Sequence, residues 1–483
     1  MAGDADTSIT RTLGTPTNLD KWTMSLWVKR VKLDQMEYMM QGKNASTTFS
    51  GIRFNSDNTL DFFNRTSGTY NGQLVTNRLF RDPSAWMHIV AVWDSDNATP
   101  GDRMKLYVNG VEEGSVGGYS TDTNPTSGQA SYVASGDVFW IGANGPSSDM
   151  YNGMMSQIQF VDGSALTPTD LGGSFDATSG IWKLGGGCYG TPGTNGFCMK
   201  MEDATNMDLD SSTNAHTFTT AGTGVTNSLD NPSNNFSVIN CLTAIDGLNS
   251  ARQKAVDALN GGNRIYNGSD LSWCNNVTLR GGKWYWEIYY NASTLSTRNW
   301  GVVRADQWNV STEIIYPPGA NTITGTPHTI AYAPQYGRCA QDDKTDTISY
   351  LSTSLTTDGS SGVHWIGFYY DADNGKIAFS FDGTMQESST SFTVPNYADG
   401  DWTKFGARPT GRCDGTVSGA VWANWGSGTY GDGLVLSGTE DVDWFADAGS
   451  EGKFKYNPTQ TIDATTWDAR AISTNNIQAY NGI

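Results

Sequence analysis

Two phrases far apart in the chain share one plan. AWMHIVAVWDSDNATPGDRMKLYVNG runs from Ala85 to Gly110, and GVHWIGFYYDADNGKIAFSFDG from Gly362 to Gly383. Each has a Trp near its start and runs through an apolar stretch to an aromatic residue followed by Asp-x-Asp. These are Trp93-Asp94-Ser95-Asp96 and Tyr370-Asp371-Ala372-Asp373. Each then crosses a polar turn and climbs an alternating strand. In the first, Met104, Leu106 and Val108 fall on one face, and Lys105 and Tyr107 on the other. In the second, Ile377, Phe379 and Phe381 alternate with Lys376, Ala378 and Ser380. The phrases close on Asn109-Gly110 and Asp382-Gly383, pairs that supply the positive φ angles of a two-residue hairpin. A central strand, a turn and an outer hairpin, used twice, predict two β-sandwiches of related topology.

The totals agree with this. At 483 residues the chain suits two or three domains. Charged residues make up only 16% and aromatics 12%, with 56 Gly, and Ser, Thr, Asn and Asp fill most polar positions. Aromatic and β-branched residues suit pleated faces, and Gly, Asn and Asp suit turns. A net charge of −19 argues against partners with phosphate backbones and against anionic lipid surfaces. No apolar run reaches the roughly 20 residues of a membrane helix. The opening MAGDADTSITRT lacks the pattern of a signal peptide, so synthesis in the cytoplasm is expected.

Strand signals and polar stretches divide the chain into four expected parts. A first sandwich covers 1–172, with phrases such as TMSLWVKR, TLDFFN and SQIQFVDG. A connector rich in Gly, Asn and Thr follows over 173–262. It ends in the single helix expected, 249–260, capped by Asn249 or Ser250 and stopped by Gly261-Gly262. A second sandwich covers 263–430. The polar tail 431–483 is expected to pack on that sandwich or on a neighbouring copy. The fold class is therefore all-β: two antiparallel sandwiches, a connector and one short helix.

Several phrases carry a resemblance. Trp22-Thr-Met-Ser-Leu-Trp27, Trp86 to Asp94, Leu106-Tyr-Val-Asn-Gly110 and Gly153 to Pro168 resemble the laminin-G-like jelly roll of the concanavalin A-like lectin/glucanase group. Lys283-Trp-Tyr-Trp-Glu287, Trp365 to Asp371 and Ile377 to Gly383 resemble SPRY domains. The pair, joined by phrases such as Thr178-Ser-Gly-Ile-Trp182 and Asp230-Asn-Pro-Ser-Asn-Asn235, resembles virion proteins of bacteriophages. The resemblance implies a jelly-roll protein displayed on a particle as tail fibre or capsid decoration. Its partners would be other virion proteins and host-surface glycans, in a homo-oligomer such as a trimer. The alternatives are a polysaccharide depolymerase and a purely structural cement protein.

Glucanases of this group carry Glu-x-Asp-x-x-Glu on one strand face, and no such string occurs. Glu440-Asp441-Val442-Asp443 reads as a solvated loop. The four His are dispersed, and no zinc spacing, phosphate loop or nucleophile elbow appears. A non-enzymatic protein is expected. The six Cys read as reduced structural thiols, with a Cys188–Cys198 disulfide as the alternative. For calcium, which takes six to eight oxygens, the candidates are Asp94 with Asp96, Asp371 with Asp373, and Asp149 with Asn152. The alternative for the Asp-x-Asp pairs is an Asx-type turn. For glycan stacking the candidates are Trp308, Tyr316 and Tyr336, set among Asn and Asp, with core or subunit contacts as the alternative.

Overall fold

In this computed structural model the chain divides into two compact units, Met1–Asn227 and Ser228–Ile483. The structure describes residues 7–146, 148–203, 205–222, 225, 227–240, 245–246, 264–266, 271–305, 329–342, 348–359, 361–394, 405–415, 420–428, 442–444 and 452–473. The helix expected at 249–260 lies outside the described residues.

The strands of the first unit begin with β1 (Ser8–Thr12), β2 (Lys21–Arg30), β3 (Glu37–Ala45), β4 (Thr48–Phe54) and β5 (Thr59–Thr66). There follow β6 (Thr69–Leu79), β7 (Trp86–Asp94), β8 (Met104–Val108), β9 (Val111–Glu112), the one-turn helix α1 (Glu113–Val116), β10 (Tyr119–Thr123) and β11 (Val138–Ile141). The last are β12 (Gly153–Asp162), β13 (Gly173–Phe175), β14 (Trp182–Leu184), β15 (Phe197–Met199) and β16 (Thr219–Ala221). They form an eight-stranded sheet, β10-β6-β5-β4-β3-β11-β1-β16, and a six-stranded sheet, β15-β12-β2-β7-β8-β9. The core between them takes Trp22, Met24, Leu26 and Val28 from β2, and Ile89, Ala91 and Trp93 from β7. Ile52, Phe54, Leu60, Phe62, Phe139 and Ile141 answer from the other sheet. Trp22 and Trp93 stack at 6.1 Å. Met104, Leu106 and Val108 are buried in this core, as their spacing predicts. Asn109 and Gly110 have φ of 49° and 79°, the conformation their hairpin requires.

Residues beyond 172 are built into this sandwich. β15 pairs with β12 and β16 with β1, which extends both sheets. The chain from Ala165 to Tyr189 covers the outer face of the six-stranded sheet, packing Leu166, Leu171, Leu184 and Tyr189 on Val90, Val92 and Val161. Cys188 and Cys198 form a disulfide, where reduced thiols were expected. Folding the covering chain back beside β15 sets their Cα atoms 5.8 Å apart, within bridging range.

The second unit contains β17 (Ile245–Asp246), β18 (Arg264–Tyr266), β19 (Leu271–Cys274), β20 (Lys283–Asn291), β21 (Leu295–Arg304), β22 (Thr329–Ala333), β23 (Arg338–Asp342) and β24 (Ile348–Ser352). Next come β25 (Val363–Asp371), β26 (Lys376–Phe381), β27 (Thr384–Met385), β28 (Phe392–Thr393), β29 (Ala407–Gly415) and β30 (Ala420–Asn424). Its two main sheets are β17-β19-β29-β21-β22-β23-β24 and β18-β30-β20-β25-β26-β27. Trp286 stacks on Phe368 at 5.2 Å and Tyr290 meets Trp300 at 4.6 Å. Late residues cover the outside here too: Phe454, Ile462 and Trp467 pack on Tyr285, Tyr369 and Ala378.

The opening repeat is visible in register. Lys21 pairs with Asp94 and Trp22 with Trp93, and Lys283 pairs with Asp371 and Trp284 with Tyr370. Asp382 and Gly383 have φ of 46° and 80°, matching Asn109 and Gly110. Asn109 Oδ1 accepts the His88 N–H, and Asp382 Oδ1 accepts the Trp365 N–H, each at 2.8 Å.

Candidate functional site

The outer face of the eight-stranded sheet gathers aromatic, amide and charged side chains side by side. Pairing register builds it row by row. One row crosses the strands as Trp140, Gln41, Gly51, Phe63 and Gln73. The next runs Val138, Lys43, Phe49, Arg65 and Tyr70, and a third Tyr38, Arg53, Asp61 and Val75. Direct cross-strand partners share a face, so these residues form a grid. Gly51 sits at its centre because β3 passes so close. A Cβ there would lie 2.4 Å from the Met40 carbonyl oxygen and 2.6 Å from Gln41 Cβ.

The floor is a buried aromatic trio. Phe49 meets Phe63 edge-on at 5.5 Å, and Tyr38 meets each of them at about 6 Å. Cations cap the rings. Arg53 lies 4.8 Å from the Phe63 centroid, Arg65 lies 5.7 Å from Phe49 and 5.2 Å from Tyr70, and Lys43 lies 5.8 Å from Phe49. Such contacts contribute about 0.5–1 kcal/mol each and hold the charged heads toward the open side. Asp61 Oδ2 accepts from Arg53 Nε at 3.0 Å and Nη2 at 2.7 Å, and Gln73 Nε2 donates to the same carboxylate. Arg53 also donates to the Tyr38 and Tyr70 hydroxyls.

The loop after β11 walls one side. Gln41 Nε2 donates to Ala143 O at 3.1 Å and Asn144 Oδ1 at 3.2 Å. Lys43 Nζ donates to the Asn144 carbonyl and side chain, and Asn144 Nδ2 donates to Asp149 Oδ2 at 2.9 Å. Gln41 is fully buried, and its Oε1 accepts no hydrogen bond among the described residues. Lys43 and Arg65 are half-buried; the Asp149 carboxylate acts on the Lys43 charge from beyond ion-pair distance, and no carboxylate ion-pairs with Arg65 among the described residues.

The sites expected from sequence are placed as follows. Trp308 and Tyr316 lie outside the described residues. Tyr336 is 47% exposed, beside Arg338, which also stacks toward exposed Tyr350. The calcium candidates do not converge. Asp94 pairs with Lys21 at 3.2 Å and Asp96 is exposed. Asp371 Oδ1 accepts the N–H groups of Asp373 and Asn374, and Oδ2 accepts from Asn374 Nδ2, which is an Asx-type turn. Asp373 accepts from the Gly282 N–H. Asp149 takes Asn144, and the Asn152 amide donates to Met150 O. Among the described residues no three His, Cys, Asp or Glu converge on one point, so these donors do not fit an ion that needs six to eight oxygens.

One buried pair has the look of a nucleophile and base. Ser25 Oγ and His88 Nε2 are 2.8 Å apart. The partner of Nδ1 decides their roles. Trp182 Nε1 can only donate, and it donates to His88 Nδ1 at 3.1 Å. The ring proton therefore sits on Nε2 and is donated to Ser25. Burial pushes the His88 pKa down to about 3, so the ring stays neutral. This His cannot take the serine proton, and the pair ties the covering chain to the sheet. His364 behaves differently. Burial works against its charge, but hydrogen bonds to Asp382 and the Ser361 carbonyl more than offset that and raise its pKa. Glu287 accepts the backbone N–H groups of Lys455 and Tyr456.

The sheet-face grid was missed by sequence reasoning. Its signal was parity: Gln41 and Lys43, Phe49 and Arg53, Asp61, Phe63 and Arg65 are spaced by even numbers within their strands. A second aromatic group was missed in the same way. Tyr289 meets Trp365 at 4.6 Å and Trp422 at 4.9 Å across neighbouring strands of the second unit.

No curated protein matches the chain. Among solved structures, the mouse laminin alpha1 chain, domains LG4-5, is similar at 8% identity over 87% of this chain and 81% of that one, with a TM-score of 0.28. A heptameric SAP-like pentraxin from Limulus polyphemus is similar at 18% identity over 34% and 80%, with a TM-score of 0.24. The SPRY domain of human HERC1 is similar at 13% identity over 33% and 87%, with a TM-score of 0.23. The laminin G family described as the concanavalin A-like lectin/glucanases superfamily matches residues 3–172, and the fold there is the concanavalin A-like jelly roll.

Proposed function

We propose that the chain is a non-enzymatic, glycan-binding component of a bacteriophage virion, displayed as tail fibre or capsid decoration. The observation that carries the binding reading is the grid centred on Gln41, Phe49 and Gly51. It offers half-buried aromatic rims at Tyr70 and Trp140, half-buried cationic heads at Lys43 and Arg65, and a wall of hydrogen-bonded amides beside them. Saccharides need these elements together, because their hydroxyls require placed partners and their ring faces require apolar edges. The family match over 3–172 supports the same reading. The commitment of Asp61 to Arg53 and Gln73, and of the His88 proton to Ser25, supports a binding role over hydrolysis. Several copies on one particle would sum weak sites into firm adhesion.

The placement on a phage particle rests on the resemblance of the paired sandwiches and their joining phrases to virion proteins. Gold-labelled antibody on purified particles tests it. Label at tail or fibre tips supports adhesion, label over the head supports decoration, and unlabelled particles retire the virion reading. Binding is tested by titrating the full chain with a panel of oligosaccharides. Substitution of Trp140→Ala is expected to weaken the best binder at least tenfold.

A further inference from the structure

We infer that the sheet-face site selects acidic saccharides, those bearing carboxylate or sulfate groups on the sugar, and that Lys43 and Arg65 make the selection. This rests on the glycan-binding reading above and deepens it.

Three observations carry it. The first is where the charges stand. Lys43 and Arg65 are the direct cross-strand neighbours of Phe49 on either side, and both heads lie within 6 Å of that ring. The second is that neither is held in an ion pair, although the Asp149 carboxylate acts on Lys43 from farther off. Arg53, one row away, is spent on Asp61, but no carboxylate ion-pairs with Lys43 or Arg65 among the described residues. Arg65 uses Nε on the Gly68 carbonyl at 3.1 Å, and its two terminal nitrogens form no hydrogen bond among the described residues. In a chain of net charge −19, two such cations flanking one buried ring form a locally positive spot on a negative protein. The third is the wall beside Lys43, where Gln41 Nε2 donates to Ala143 O and Asn144 Oδ1 and holds the loop after β11 against the cation.

The aromatic floor argues in the same direction. A neutral sugar would stack on open ring faces. Phe49, Phe63 and Tyr38 are at most 2% exposed, sealed under the cations. What the ligand meets is the outer edge of a guanidinium and an ammonium, with Tyr70 and Trp140 at the margins. A guanidinium fork matches a planar carboxylate or a sulfate in two parallel hydrogen bonds.

The test is calorimetric titration of the full chain with three probes: tetragalacturonate, dextran sulfate and the neutral cellotetraose. Binding of tetragalacturonate or dextran sulfate at least tenfold tighter than cellotetraose is expected, and the better acidic probe identifies the acidic group. Lys43→Met and Arg65→Met keep the apolar stems over Phe49 and remove the charges. Each is expected to weaken the acidic probe about fivefold to tenfold, with the double variant losing more. Lys183→Met, whose head pairs with Asp176 on the covering chain, is expected to change nothing. Unchanged circular dichroism and melting temperature would show that the variants fold. Equal or tighter binding of cellotetraose overturns the acidic selection and leaves glycan binding standing. Acidic binding untouched by both Met variants overturns the assignment to Lys43 and Arg65. No binding of any probe, or of the wider oligosaccharide panel, overturns both readings.

Discussion

The Trp182 ring lies where a side chain on Gly110 would have to go, with ring carbons 2.3 Å from an added Cβ. The relationship recurs in the second unit, where Tyr456 lies 2.6 Å from a Cβ on Gly383. In both, the tip of the hairpin at the end of the opening repeat is the seat for an aromatic residue from the covering chain. Gly110→Ala is expected to cost about 2–4 kcal/mol, from left-handed φ strain together with overpacking. Gly180→Ala isolates the strain, because Gly180 also has a positive φ, 67°, but open space around it. It is expected to cost about 1 kcal/mol. Urea unfolding followed by tryptophan fluorescence compares the two.

His88 makes the first unit sensitive to acid. Its pKa falls from an ordinary 6.5 to about 3 on folding, because burial disfavours the charged ring. The unfolded chain therefore binds a proton that the folded chain refuses. The stability is whole above pH 6.5 and is lost as pH falls from there toward 3. The slope is at most about 1.4 kcal/mol per pH unit for one group. His88→Gln is expected to be less stable at pH 7 yet to lose less between pH 6.5 and 4. Melting curves across that range measure the difference, and equal slopes in the two proteins would count against it.

Glu287 fastens the late residues to the second unit through the N–H groups of Lys455 and Tyr456, at 2.9 and 2.8 Å, and through the Tyr285 hydroxyl. Glu287→Ala leaves these donors unpaired and is expected to cost about 2–4 kcal/mol. The sharper readout is local. Hydrogen exchange at the amides of 455 and 456 should rise at least tenfold, with exchange in β2 and β7 unchanged.

The Cys188–Cys198 bond closes a short loop between the covering chain and β15. By the chain-entropy argument its loss costs the first unit about 3 kcal/mol. Cys198→Ser and treatment with reductant should give the same loss, and reductant should not affect the variant further. Peptide mapping without reduction should recover 188 and 198 in one linked pair.

Much of the fold was legible because short-range rules set it. Alternation at Met104, Leu106 and Val108 and the turn pairs Asn109-Gly110 and Asp382-Gly383 act over a few residues, and the structure places them as those rules require. The Asp371 turn was legible as one of two readings, and backbone amides decided it. The candidate site was not legible. Trp308, Tyr316 and Tyr336 were chosen for aromatic residues among polar neighbours, a property of composition. Only Tyr336 can be placed, and it is exposed. Gln41, Lys43, Phe49 and Arg65 lie inside ordinary strands, where nothing local marks the outer face as open.

The sequence by itself determined parity: which residues of each strand share a face, where the hairpins turn, and that such a chain builds antiparallel sandwiches twice. Only the tertiary structure decided which faces are covered and which residues meet. A period of two residues says that Lys43 and Gln41 point the same way, but not that Trp140 and Gly51 stand on either side of Gln41. That depends on strand register, which is set by pairings between segments far apart along the chain. It also depends on where the chain after 164 lies down. It covers Val90 and Val161 on the six-stranded sheet. On the eight-stranded sheet the cations over Phe49 remain half-exposed, and no carboxylate of the described residues ion-pairs with either.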